Sequence, residues 1–189
     1  TDVGLKEVAK LQKLKYLYLG NTQITDAGVK EVAKLQNLER LHMRQCIKIT
    51  DAGLKDVAKL KNLESLSLDR AQITDAGLKE VAKLQKLKKL YLNGTKVTDA
   101  GLKEVAKLKN LESLTLNKTQ ITDAGLKEVT KLQNLRWLSL WSTQITDAGL
   151  KELAKLQKLK GIALLYTKVT KAGVAELKKA LPNCAILGP

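Results

Sequence analysis

A Thr-Asp pair that returns at a nearly constant interval constrains this chain more than any other feature. Thr1, Thr25, Thr50, Thr74, Thr98, Thr122 and Thr146 each precede an Asp, and Thr170 holds the same place before Lys171, in steps of 24, 25, 24, 24, 24, 24 and 24 residues. A chain with one period from end to end is expected to fold as stacked copies of a single supersecondary unit, each touching only its neighbours. Seven copies over residues 1–169 and a closing segment over 170–189 use the whole sequence, so no linker is left and a single domain is predicted. A unit this short cannot offset its own ordering entropy alone, so stability must come from stacking.

Each copy has two halves. In LKYLYLGNTQITD, residues 14–26, the alternation from Tyr16 to Leu19 predicts a short strand with Leu17 and Leu19 inward and Tyr16, Tyr18 and Gly20 outward. In DAGVKEVAKL, residues 26–35, Asp26 is a candidate N-cap, and Val29, Val32 and Leu35 fall three apart, as one buried face of a helix requires. Strands that each return through a helix pair in parallel, which makes the class α/β. A hydrophobic content of 44% with only 3% aromatic residues and no Phe fits aliphatic layers in the core. The Gly after each Asp-Ala, such as Gly28, is expected to let its helix lie close to the next copy. Thr22, Cys46, Ala71, Thr95, Thr119, Thr143 and Thr167 share the turn after the strand, where a hydroxyl can satisfy buried backbone groups as a ladder.

The spacing Leu14-x-x-Leu17-x-Leu19-x-x-Thr22-x-Ile24 resembles the leucine-rich repeat. The second copy, LERLHMRQCIKITDAGLKDVA, has one extra residue and Cys46 at the ladder position. In that form it resembles the cysteine-containing subfamily, related to ribonuclease-inhibitor-like folds; the other copies resemble a shorter, Thr-bearing bacterial form. The resemblance covers the whole chain and implies a leucine-rich-repeat solenoid, with a curved parallel sheet on the concave face and short helices on the convex face. It also implies a binding scaffold, because that fold serves many different partners.

The closing segment TKAGVAELKKALPNCAILGP replaces the helix Asp by Lys171 and holds both prolines, Pro182 and Pro189, which marks it as a cap. Cys46 and Cys184 lie more than five copies apart, beyond the reach of a disulfide, and both are expected in the core. The lack of paired cap cysteines and of a charged and then apolar leader points to a cytoplasmic or bacterial setting. No apolar run reaches membrane-spanning length, so no membrane insertion is expected.

The copies differ mainly at the outward strand positions. Across the sheet the first row is Tyr16, Arg40, Ser65, Lys89, Ser113, Trp137, Gly161; the second is Tyr18, His42, Ser67, Tyr91, Thr115, Ser139, Ala163. The third is Gly20, Arg44, Asp69, Asn93, Asn117, Trp141, Leu165, and the adjoining rim is Asn21, Gln45, Arg70, Gly94, Lys118, Ser142, Tyr166. Every aromatic residue of the protein lies in these rows. Drift at positions free of packing would explain the variation, but it would loosen the outer helix surface equally, and there the Gly and the Lys at 6, 30, 55, 79, 103, 127 and 151 recur in every copy. Trp and Tyr are favoured at binding hot spots. The candidate partner-binding set is therefore Tyr16, Tyr18, Arg40, His42, Arg44, Asp69, Arg70, Lys89, Tyr91, Asn93, Asn117, Trp137, Trp141, Leu165 and Tyr166. Trp137, Trp141, Leu165 and Tyr166 should form one apolar patch, the Tyr16 end a mixed aromatic and basic one, and the Ser65 to Thr115 centre a small, wet stretch.

The expected function is recognition of a protein or peptide partner, without catalysis. The net charge of +15 admits nucleic acid as the alternative, with bases stacking on the aromatic rings. Nine of the 34 basic residues lie in the strand segments against four acids, and the helices carry Lys-Glu-x-x-Lys, the pattern of a solvated face. His42, Ser67 and Asp69 can be written as a triad, but an open sheet face supplies neither an oxyanion site nor exclusion of water. One histidine and a buried cysteine do not make a metal site, so no metal or cofactor is expected.

Overall fold

The computed structural model describes residues 1–189. Helix and strand alternate without exception: α1 (Asp2–Val8), β1 (Tyr16–Tyr18), α2 (Asp26–Val32), β2 (Arg40–His42), α3 (Asp51–Val57), β3 (Ser65–Ser67), α4 (Asp75–Val81), β4 (Lys89–Tyr91), α5 (Asp99–Val105), β5 (Ser113–Thr115), α6 (Asp123–Val129), β6 (Trp137–Ser139), α7 (Asp147–Leu153), β7 (Gly161–Ala163), α8 (Lys171–Ala180) and β8 (Ala185–Leu187). The eight strands form one parallel sheet in sequence order. The expected cap over 170–189 is itself a further helix and strand, with Ile162 in register with Ile186. Strands stack at about 4.8 Å, whereas packed helices need about 8–10 Å, so the sheet lines the inner, concave side of the curve.

Only three residues per copy are strand, yet backbone pairing continues on both sides. Leu19 N–H donates to His42 O at 2.8 Å and Asn21 N–H to Arg44 O at 2.7 Å, while Glu39 N–H donates to Lys15 O at 2.8 Å. Between sheet and helices lies one continuous aliphatic layer to which a middle copy contributes Leu54, Val57, Leu60, Leu63, Leu66, Leu68 and Ile73, all buried. Leu35, Leu60, Leu84, Leu108, Leu132 and Leu156 are buried as predicted, but from the turn after the helix, since each of these helices is only seven residues long; Leu11, with no copy before it, is exposed.

The capping role of Asp differs from expectation. The N-cap is the preceding residue: Thr25 sits in the extended region and its hydroxyl accepts the Ala27 N–H. This frees the Asp carboxylate to reach the next copy. Asp26 Oδ1 accepts the Thr50 N–H at 2.9 Å and its Oδ2 accepts the Thr50 hydroxyl at 2.6 Å. The same two-pronged clamp joins Asp2 to Thr25, Asp51 to Thr74, Asp75 to Thr98, Asp99 to Thr122, Asp123 to Thr146 and Asp147 to Thr170. Lys171 ends the series.

The clamp also explains the glycines. A Cβ on Gly53 would collide with the Asp26 carboxylate, and one on Gly77, Gly101 or Gly125 with the Asp of its own preceding copy. The close approach is thus toward the copy before, not the copy after. The Thr ladder is present: Thr22, Thr95, Thr143 and Thr167 donate to the carbonyls of Leu19, Leu92, Leu140 and Leu164 at 2.6–2.7 Å. Cys46 reaches across copies, donating to Leu19 O at 3.0 Å. The extra residue of its turn leaves Ile47 exposed. Both cysteines are buried and free.

Removing one clamp tests its weight. Asp75→Ala leaves the half-buried Thr98 N–H and hydroxyl without their charged acceptor and should cost about 1.5–3 kcal/mol in urea unfolding. Asp147→Ala should cost less than half of that, because Thr170 is exposed and water replaces the carboxylate. Equal losses at the two positions would remove the clamp as a source of inter-copy stability.

Candidate functional site

The outward side chains of the strands, and of the turns that follow them, line the concave face. Five of the six aromatic residues are exposed there: Tyr16, Tyr18, Trp137, Trp141 and Tyr166, the last 79% exposed. Tyr91 is half-buried. Leu165 is exposed beside Tyr166.

At the β1–β4 end the rings form a chain. Tyr18 meets His42 edge-on at 4.8 Å between centroids, and His42 meets Tyr91 at 5.9 Å. The Arg40 guanidinium lies over the Tyr16 ring, 4.7 Å from its centroid, a cation–π placement. Burial among these groups holds His42 below its usual value, with the Arg40 charge adding to the effect. Burial likewise pushes the Tyr91 hydroxyl up. Lys89 is exposed on the same strand as Tyr91.

At the other end the apolar residues divide. Trp141, past the end of β6, packs against Tyr166 of the next copy at 6.0 Å, and Lys118 lies over its ring at 4.7 Å. Trp137 instead packs against Gly161 on β7, where any Cβ would run into the indole. The expected single patch is therefore a Trp141–Tyr166 pair and a separate Trp137 shelf. The clue in the sequence was Gly161, the smallest residue of its row beside the largest.

The centre also departs from expectation. Ser65, Ser67, Thr115 and Ser139 are buried, with Ser67 only 5% exposed. Longer neighbours cover them at strand spacing: Ser65 is registered between Arg40 and Lys89, and Ser67 between His42 and Tyr91. The small residues form a floor rather than a wet channel. Thr115 Oγ1 finds no partner there within the protein.

Three members of the candidate set do structural work. Asp69 Oδ1 accepts the Asn93 N–H at 2.8 Å, Asn93 Oδ1 accepts the Asn117 N–H at 2.9 Å, and Asn117 Oδ1 accepts both the Trp141 N–H at 2.9 Å and the Ser139 hydroxyl at 2.6 Å. This ladder satisfies backbone donors where the sheet turns away, and it escaped the sequence because Asp69, Asn93 and Asn117 read by alternation as side chains facing solvent. Burial raises the Asp69 carboxyl above its ordinary value, and the bond from the Asn93 N–H opposes that rise. The His42 ring meets Ser65 Oγ at 3.0 Å rather than Ser67, and Ser67 leans toward Asp69 at 3.5 Å, so the three residues are not arranged as a relay.

The rim residues Asn21, Gln45, Arg70, Lys118, Ser142 and Tyr166 all adopt positive φ, between 55° and 61°, with Gly94 at 65° in the same place. This left-handed kink aims the rim side chains of Arg70, Lys118 and Tyr166 along the edge of the concave face. Arg70 lays its stem against Gly94. No helix is long and apolar enough to cross a membrane.

A family model described as a leucine-rich repeat region matches residues 1–124, and a second, described as a leucine-rich repeat, matches residues 131–154. No curated protein matches by sequence. Among solved structures, a leucine-rich repeat protein of Leptospira interrogans is similar, with 26% identity and a TM-score of 0.64 over 96% of this chain and 50% of that one. This chain spans half the length of that relative.

The Trp137 shelf gives a direct check. Gly161→Ala should force the indole off β7 and shift its fluorescence emission to the red, at a cost of about 1–3 kcal/mol in stability. An unchanged emission spectrum would mean that Trp137 does not rest on Gly161.

Proposed function

The chain belongs to the leucine-rich repeat family, and from that premise we propose that it is a non-catalytic scaffold that binds a protein or peptide partner on its concave sheet. One observation carries this reading. The frame is nearly invariant from copy to copy, while all six aromatic rings gather on one face and five stay exposed despite the cost of leaving large apolar surface in water. Trp141, Tyr166, Leu165 and Trp137 supply apolar anchors, and Arg40, Arg44 and Arg70 supply charge selectivity. The convex helices have the opposite character. One lysine of each convex segment pairs with an acid three residues before it, as Lys34 does with Glu31 and Lys107 with Glu104, and the other, such as Lys30, stands exposed; such solvated charges contribute little beyond solubility.

A capture experiment with Trp137→Ala/Trp141→Ala as control tests the proposal. Neither ring is core, so the double variant should keep the unfolding midpoint of the natural sequence within a few degrees. Partners that bind the natural sequence and resist nuclease should be lost from the variant. Equal capture by both proteins would overturn the assignment of the concave face, and loss of binding on nuclease treatment would favour nucleic acid.

A further inference from the structure

The charge left on the concave face is not what its composition suggests. Of the four acids in the strand segments, three are already neutralised along one margin: Glu39 by Lys15 at 2.8 Å, Glu64 by Lys88 at 2.9 Å and Glu112 by Arg136 at 3.6 Å. The fourth, Asp69, is half-buried and spends one oxygen on the Asn93 N–H. Arg40, Arg44, Arg70, Lys89 and Lys118 are all exposed, and none forms an ion pair. Arg44, Arg70 and Lys118 line a single recess whose floor is Asp69, Asn93 and Asn117 and which ends on Trp141. Two of these cations are held in place, Arg70 against Gly94 and Lys118 over the Trp141 ring.

We propose that the concave face binds an extended acidic peptide segment whose carboxylates sit among Arg44, Arg70 and Lys118 and whose bulky apolar side chain docks at Trp141 and Tyr166. This rests on the reading of the concave face as a protein or peptide site and specifies its ligand. Three cations around the single half-buried Asp69 carboxylate leave a net positive recess, and an anionic partner relieves their mutual repulsion while its charge sets register. The geometry also sets a length. From Arg44, just past β2, to Trp141, just past β6, there are four strand intervals, about 19 Å at strand spacing and about six residues of extended peptide.

The rings argue against single-stranded nucleic acid, the other polyanion. Base stacking needs open ring faces. Arg40 covers Tyr16, Lys118 covers Trp141, Trp137 lies against Gly161, and Tyr18, His42 and Tyr91 are locked edge-to-face. Tyr166 keeps its ring open, but a run of stacked bases needs successive open faces, whereas the unpaired guanidinium groups suit carboxylates and the exposed ring edges suit apolar side chains.

Selection from a displayed library of nine-residue peptides, run on the natural sequence and on Arg44→Glu/Arg70→Glu/Lys118→Glu, tests this. The natural sequence should enrich peptides with several Asp or Glu residues near one aromatic or large aliphatic residue. The triple variant should bind a synthetic copy of the best peptide about tenfold more weakly or worse, and should itself enrich Lys and Arg. All three positions are exposed, so matching unfolding midpoints will show that the variant is folded. Arg44→Gln/Arg70→Gln should lose affinity without gaining basic peptides. Peptides that need Trp137 and Trp141 but show no acidic preference would overturn the ligand assignment and leave the concave site standing. No enriched peptide, together with tight, steeply salt-dependent binding of a ten-nucleotide oligothymidine, would overturn both.

Discussion

Each copy of this protein is tied to the next by one carboxylate. An Asp in the first turn of a helix accepts the backbone N–H and the hydroxyl of the Thr that caps the following helix, and that Thr accepts an N–H from its own helix. The result is a polar relay from copy to copy in which each helix N-terminus faces negative charge, the favourable sense for its dipole. The Gly two residues after the Asp exists because the preceding carboxylate occupies the place of its Cβ. Thr, Asp and Gly are therefore a single constraint seen at three positions, and altering one spoils the fit of the other two. At the terminal link the Thr170 hydroxyl, and then its N–H, hold the Asp147 carboxyl below its ordinary value, so acidification weakens that link only once the pH falls through the lowered value.

Such a clamp keeps the frame uniform and leaves variation to the one surface it does not touch. The concave face lies across the aliphatic layer from the clamps, and its residues meet only one another and solvent. They can therefore differ in charge and size from strand to strand without disturbing the stack, which makes a repeat solenoid a suitable carrier for a recognition surface. The face still has requirements of its own. The Asp69–Asn93–Asn117 ladder consumes polar groups that would otherwise be free for a partner, and the left-handed rim fixes where Arg70, Lys118 and Tyr166 point.

Most of the fold was legible because periodicity is a strong signal. The 24-residue step, the inward leucines and the parallel sheet all follow from spacing alone, and Leu17, Leu41 and Leu66 align as the strand pattern requires. The roles of Asp and of the central serines were not legible. An Asp before a helix is ordinarily a cap, and nothing in one copy shows that its carboxylate reaches into another. Ser65 and Ser67 read as solvent-facing by alternation, yet neighbours 24 or so residues away roof them over. Pairings between copies, such as Lys118 with Trp141 or Trp137 over Gly161, depend on side-chain direction across strands, which sequence order does not encode. The positions of the aromatic rings were readable; their partners were not.

The central claim is that recognition belongs to the concave sheet and stability to the rest. Amide hydrogen exchange of the free protein and of its complex with a bound partner measures this most directly. The account predicts new protection confined to the strands and rim turns from Tyr16 to Tyr18 through Leu165 and Tyr166, with the helix amides unchanged. Protection centred on the helices from Asp26–Val32 to Asp147–Leu153, with the strands unaffected, would contradict it.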